Sequence, residues 1–364
     1  MNNLTNAGAL LDKAVAGDRL SREEGIELLE QGNLIDLGMA ANAIKNKLHP
    51  EGMVTYIIDR NINYTNICAC QCRFCAFYRQ VEDKDAYVIE KTVLHKKIEE
   101  TIDVGGTELL IQGGLHPDLT LEYYTDMLQD IKKRYDIHIH SFSPPEIAHF
   151  SKLSGLSAAE VLTKLRDAGL DSLPGGGAEI LVDRVRKQIS PNKIGWRQWM
   201  DVMDTAHRLG MKTTATMVFG HIETSADIIT HLIRVRDQQD VTGGFTAFIP
   251  WSFQPRNTDL GGVTAGGYEY LKVLAVSRIM LDNVPNLQAS WVTQGAKIAQ
   301  VALSFGANDF GSTMLEENVV KAAGASYRIA LKEIQRCIAD AGFIPAQRKT
   351  DYSIIKTFPD LRSI

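Results

Sequence analysis

Four of the chain's five cysteines, Cys68, Cys70, Cys72 and Cys75, fall close together, and the fifth, Cys337, stands alone near the end. A disulfide framework would spread its cysteines along a short secreted chain, so tight clustering in a long chain points to metal ligation or redox chemistry. Thiolates are soft ligands for iron. Cys68, Cys72 and Cys75, spaced C-x3-C-x2-C, suit three irons of a cubane held on one loop, with the fourth iron open to a chelating small molecule. A structural zinc site wants four protein ligands, usually in C-x2-C pairs, and Cys70 stands too near Cys68 and Cys72 to share one zinc without strain. A structural cluster without catalysis is the other alternative.

Other chemistry-bearing residues gather at the ends of β-rich runs. Gln112-Gly113-Gly114 is either a plain turn or a place where backbone approaches a ligand closely. Glu179 follows Pro174 and three glycines, where its carboxylate would accept hydrogen bonds from hydroxyls or an ammonium; the alternative is the acidic residue of a helix's first turn. Ser141 and Ser143 suit a ribose or carboxylate, and strand alternation then turns His140 outward. His221, with Glu223 behind it, reads as a proton acceptor or as a cap of the next helix, and His116 has a weaker case of the same kind. Arg79 and Arg256 are the cations best placed to meet a carboxylate. Phe74 packs against a ligand or in the core.

The elements that carry these residues alternate. Strand-like runs at Tyr56–Ile67, Thr107–Gln112, Ile137–Phe142, Ser172–Leu173, Thr213–Phe219, Phe245–Ile249, Gln288–Val292 and Ala307–Phe310 are separated by amphipathic helical segments. That order implies parallel strands with right-handed crossovers, hence an α/β fold of the (β/α)8 barrel type, with an open partial barrel as the alternative. Barrel chemistry sits at the C-terminal strand ends, where the unusual residues fall. Residues 6–49 read as helical, with Ser21 to Glu24 as a capping box. The expected division is an N-terminal helical extension (1–55), the barrel (56–312) and a C-terminal helix and tail (313–364). A formal charge of −5 supplies no basic field for nucleic acid. No apolar run is long enough for a membrane span, and the N-terminus lacks the pattern of a secretory signal, so a cytoplasmic location is expected.

The cysteine loop, with Phe74 before its last cysteine, resembles that of the radical S-adenosylmethionine (SAM) superfamily. NINYTNIC…CRFCAFYR is similar to its menaquinone and deazaflavin branch. QGGLHPDLTLEYY, GLDSLPGGGAEIL, TTATMVFGHIET and GGFTAFIPWSFQP resemble the cyclases of the futalosine route to menaquinone within that branch. The resemblance implies a [4Fe–4S] cluster on Cys68, Cys72 and Cys75, and SAM as cosubstrate against Phe74, Gln112, Gly113, Gly114, Ser141 and Glu179. It implies dehypoxanthine futalosine as substrate, met by Arg79, Ser143 and Arg256, hydrogen abstraction at C4′ and ring closure on the benzoate. His221 or Glu179 would take the departing proton, and a donor such as flavodoxin or ferredoxin would supply electrons. The sister reaction, aminofutalosine synthesis, shares the cysteine loop and PGGGAE, and a non-catalytic iron–sulfur protein is the alternative of another class.

Overall fold

The computed structural model describes residues 3–325 and 327–363. Its strands are β1 (Met53–Ile57), β2 (Asp59–Asn63), β3 (Glu108–Gln112), β4 (His138–Ser141), β5 (Ser172–Leu173), β6 (Lys212–Phe219), β7 (Phe245–Ser252), β8 (Asn286–Leu287), β9 (Asp309–Ser312), β10 (Ile344–Arg348) and β11 (Ile354–Thr357). From β2 to β8 each strand pairs in parallel with the next in sequence. Two backbone hydrogen bonds, Asn308 N to Leu287 O (3.1 Å) and Ala289 N to Asp309 O (2.8 Å), join β8 to β9. Since β9 pairs in parallel with β1, and only Ile58 separates β1 from β2, the ring closes. The expected α/β barrel is therefore observed, with β1 and β2 acting as one strand.

That strand changes partner at Ile58. Before it, Met53 pairs with Ile344 of β10; after it, Asp59 pairs with Glu108 of β3. The tail thus adds two strands beneath the barrel, β10 parallel to β1 and β11 antiparallel to β10, where the sequence suggested only a helix, found at Leu331–Asp340, and a tail. The expected strand at Gln288–Val292 is displaced: the strand spans Asn286–Leu287, pairing ends with a bridge from Gln288 to Asp309, and Trp291–Gln294 forms one helical turn. Its apolar residues are buried by helix packing rather than by a sheet.

The N-terminal helices Asn3–Ala16, Arg22–Gln31 and Leu34–Leu48 pack on one flank of the barrel. Ser21 and Glu24 form the expected capping box. Gly38 lets the third helix meet Phe305, whose ring would lie 2.6 Å from an added Cβ. Lys45 is buried there, its Nζ donating to Leu303 O at 2.7 Å.

Register sorts the barrel's inner face into layers. Asp59, Glu108 and His138 align at the lower end; Asn61, Leu110, His140 and Ser172 align above them; Asn63 and Gln112 align at the mouth. Branched apolar side chains usually fill such layers; here several polar side chains take those positions and line a cavity whose walls are otherwise largely apolar.

Candidate active site

The cysteine loop leaves the upper end of β2 and is seated by backbone. Cys68 N donates to Arg79 O (3.0 Å), Ala69 N to Leu115 O (2.9 Å) and Arg73 N to Ile189 O (2.9 Å). Gly114 is required for this seat, because an added Cβ would stand 2.2 Å from Ile67 O and 2.8 Å from Cys68 Cβ. A Cβ added at Gly113 would stand 2.5 Å from the Tyr64 ring. The glycines expected to approach a ligand thus also bring β3 against the loop.

Cys68, Cys70, Cys72 and Cys75 all line one cavity of 240 Å³, with Phe74, Gln112, Gly113, Gly114, Ser143, Glu146, Gly176, Gly177, Glu179 and Lys193 around it. Cys70 lies within hydrogen-bonding reach of Cys68 and Cys72; that contact lowers the Cys68 thiol to about 5 and holds Cys70 far above the ordinary thiol range. Half-buried Lys193 supplies positive charge beside Cys72 and Cys70, and its Nζ stands 5.1 Å from the centre of the Phe74 ring. Among the described residues no three His, Cys, Asp or Glu side chains gather as the ligands of a single ion. Soft donors in a cavity that continues beyond them, with a cation behind, fit a cluster with an open iron and a cosubstrate bound against it.

A second cavity of 330 Å³ runs down the barrel axis and shares Phe74, Cys75, Gln112, Gly176, Gly177 and Glu179 with the first. Asn61, Leu110, His140, Thr214, Thr216, Trp251, Gln288 and Glu317 surround it, and Asp59, Glu108, Arg348, Thr350 and Tyr352 reach it from below. Asn61 Oδ1 is buried there without a hydrogen-bond partner. At the floor Arg348 grips Asp309, with Nε to Oδ2 at 2.5 Å and the second nitrogen to Oδ1 at 3.2 Å, and stacks on Tyr352. Ser312 donates to Asp59 and Thr350 to Glu108. Burial, with the Glu108 charge beside it, pushes Asp59 up to about 7.

Several expected site residues lie elsewhere. Both ring nitrogens of His221 are taken up within its own loop: Nε2 donates to Val218 O at 3.0 Å, and Nδ1 lies 2.8 Å from Glu223 and 2.7 Å from Ile222 N. The ring lines neither cavity, which removes the geometric basis for its role as a base. Glu223 also accepts from the Gly220 and His221 amides, so its partner is the loop. Arg79 pairs with Asp85 at 2.7 Å and donates to Tyr78 O at 2.8 Å, closing the cysteine loop rather than meeting a substrate. Arg256 is exposed, lies over Gly324 and lines neither cavity. Glu179 does line both, but its carboxylate is 2.5 Å from Lys193. Burial opposes its ionisation, yet the charges of Lys193 and Arg186 hold it below the usual range, which suits a fixed anion better than a proton acceptor.

The third inner edge reverses the expected alternation. His140 faces the cavity, whereas Ser141 turns to the sheet and donates to Ile111 O at 2.7 Å. Phe142 then takes a left-handed backbone (φ 67°) and packs among Tyr64, Tyr124 and Phe150. That residue resets the alternation, so Ser143 faces the mouth. Ser143 Oγ donates to Glu146 at 2.5 Å, and Glu146 also accepts from Tyr64 (2.7 Å) and Gly113 N (3.1 Å). Burial raises its carboxyl to about 7. Sequence reasoning missed Glu146, although Ser143-Pro-Pro-Glu146 has capping-box spacing. It also missed Lys193, Asp59 and Glu108, which bear no local signature.

Two family models match the chain: the radical SAM superfamily over residues 62–234 and the CofH/MqnC C-terminal region over 242–360. The cyclic dehypoxanthine futalosine synthase of Halalkalibacterium halodurans is 51% identical over 96% of this chain and 95% of its own. That of Streptomyces coelicolor is 44% identical, covering 96% and 89%. The 5-amino-6-(D-ribitylamino)uracil–L-tyrosine 4-hydroxyphenyl transferase of Archaeoglobus fulgidus is also 44% identical, over 83% of this chain and 89% of its own. Among solved structures, the FeFe-hydrogenase maturase of Carboxydothermus hydrogenoformans superposes with a TM-score of 0.76 at 15% identity, covering 96% of this chain and 81% of that one, which supports the fold. The shared barrel, the cysteine loop on its mouth and these matches lead to one conclusion: the chain belongs to the radical SAM superfamily, in the family whose barrel is completed by a CofH/MqnC C-terminal region.

Proposed function

We propose that the chain is a cyclic dehypoxanthine futalosine synthase, acting on dehypoxanthine futalosine with SAM as cosubstrate. The observation that carries this reading is the 51% identity to such an enzyme across both chains, joined to a barrel cavity that shares its wall with the thiol-lined one. Cys68, Cys72 and Cys75 would hold a [4Fe–4S] cluster, which would supply the electron for reductive cleavage of SAM to methionine and a 5′-deoxyadenosyl radical. The residues do the rest by placement. Gln112, Gly113, Gly114, Ser143 and the Glu179–Lys193 pair would surround SAM in the thiol-lined cavity, and the wall it shares with the barrel cavity would set SAM beside the substrate. Asn61 Oδ1 accepts a hydroxyl. The barrel around them limits access of water and stray hydrogen donors to the carbon radical while it adds to the benzoate ring.

A donor such as flavodoxin or ferredoxin and a reducing cytoplasm suit this chemistry; among the described residues no helix is long and apolar enough to cross a membrane. The hydroxyphenyl transferase reading rests on the 44% match and is the alternative to exclude. Reconstituted protein incubated anaerobically with SAM, reductant and dehypoxanthine futalosine should yield a cyclised product two hydrogens lighter than substrate, and deuterium at C4′ should appear in 5′-deoxyadenosine. Turnover only with tyrosine and the ribitylaminouracil would overturn the cyclase reading.

A further inference from the structure

We infer that His140, Ser172 and His138 form a proton path from the substrate cavity to the lower edge of the barrel, with His140 taking the proton released when the substrate ring regains aromaticity. This rests on the cyclase reading for its chemistry. Ring closure removes two hydrogens from the substrate. One leaves C4′ as a hydrogen atom and forms 5′-deoxyadenosine. The other leaves the ring carbon as a proton, and its electron goes to an oxidised iron–sulfur or flavin carrier of the ferredoxin or flavodoxin class. In an enclosed cavity that proton needs both an acceptor and an exit.

The groups facing the cavity narrow the choice. Glu179 is paired with Lys193, and Arg348 with Asp309. Asp59 and Glu108 hold Ser312 and Thr350 at the floor. Glu317 accepts from Asn61 at 3.0 Å and from Val320 N at 2.8 Å. His140 lines the cavity at mid-height, and its Nδ1 stands 2.7 Å from Ser172 Oγ, which leaves Nε2 for the cavity. Burial, despite the nearby Glu108 charge, lowers this imidazole to about 4, so the ring stands neutral at neutral pH and hands a proton on rather than keeping it.

The same Ser172 Oγ lies 2.8 Å from Nε2 of His138, one layer lower and half-buried. Exposed Asp351 lies near His138. The hydrogen bonds can run in one direction throughout. His140 donates from Nδ1 to Ser172 Oγ, and Ser172 donates to His138 Nε2. A proton arriving at His140 Nε2 sends the Nδ1 proton to Ser172, the Ser172 proton to His138 Nε2, and the Nδ1 proton of His138 to water beside Asp351. No charge has to remain on the buried ring.

Two measurements test the path. In histidine-labelled protein, imidazole nitrogen shifts report tautomers; the path requires Nδ1–H in both His138 and His140, and finding Nε2–H in either overturns it whatever the reaction proves to be. For the chemistry, Ser172→Ala breaks the chain of hydrogen bonds but keeps both histidines, and Ser172→Thr keeps the hydroxyl. Ser172→Ala should still move deuterium from C4′ to 5′-deoxyadenosine, while cyclised product per 5′-deoxyadenosine falls, with a loss on the order of 10²-fold as for an impaired general base. Ser172→Thr should restore it. A wild-type product ratio and solvent isotope effect in Ser172→Ala overturn the path. Wild-type protein that forms no cyclised product overturns the cyclase reading instead.

Discussion

The two ends of the barrel are built by opposite means. At the mouth, backbone does the holding: amides seat the cysteine loop, and Gly113 and Gly114 remove the side chains that would push it away. Cys68 and Cys75 remain half-buried there. At the floor, charge does the holding: Arg348 and Asp309 are both buried, and Asp59, Glu108, Ser312 and Thr350 complete the closure. A mouth must admit a cofactor, SAM and substrate, so its ligands need rigid geometry with open space beside them. A floor need only keep water out, and buried polar groups can do that once every partner is in place.

The sharpest way to break the comparison is at the mouth. Cys72→Ala should abolish cluster retention and every SAM-dependent activity, because one thiolate per iron leaves no spare ligand; iron and sulfide analysis reads this directly. Cys70→Ala should keep near-normal iron. Total loss of iron in Cys70→Ala would place that thiol in the ligand set.

At the floor the expected effect is on stability. Arg348→Met strands the Asp309 carboxylate, which Thr55 (2.5 Å) and Gly311 N (2.8 Å) contact as well, and breaking a buried pair this way costs about 3–5 kcal/mol. Denaturant unfolding should show the loss, and adding Asp309→Asn should recover part of it. A wild-type midpoint for Arg348→Met would mean that the floor is held by strand pairing alone.

A smaller effect sharpens the picture through pH. Asp59 is raised from the ordinary carboxylate range to about 7, by burial first and the Glu108 charge second. Between the unfolded value, roughly 4, and about 7 the folded state therefore binds more protons than the unfolded one, so this group's contribution to stability falls as pH rises and levels off above 7. Asp59→Asn removes the titrating group: relative to wild type its stability should rise progressively from pH 4 to 7. Parallel profiles for the two proteins would show that the carboxyl is not held neutral.

How much of this was legible in the sequence follows the same division. The mouth could be read because its devices are local: cysteine spacing, paired glycines and strand-ending loops each lie within a few residues. The barrel followed from alternation of strands and helices. The floor could not be read, since Arg348, Thr350 and Tyr352 meet Asp59, Glu108 and Asp309 only through pairing of the first strand with the tail. The reversal at His140 and Ser141 was hidden by a single left-handed residue, Phe142, a conformation an aromatic residue rarely adopts. His221 and Arg79 carried the right chemistry, but each satisfies its own loop.

The exchange of partners at Ile58 has a consequence for how the molecule is made. The strand that presents the cysteine loop emerges early in synthesis, yet its lower half pairs with Ile344–Gln347, which emerge among the last residues of this chain. Contacts so distant in sequence form slowly, because loop closure must precede any gain from them. The upper half pairs with β3, which is made soon after it. A growing chain can thus pair the upper half of this strand with β3 while the lower half still lacks the tail strand that closes beneath it.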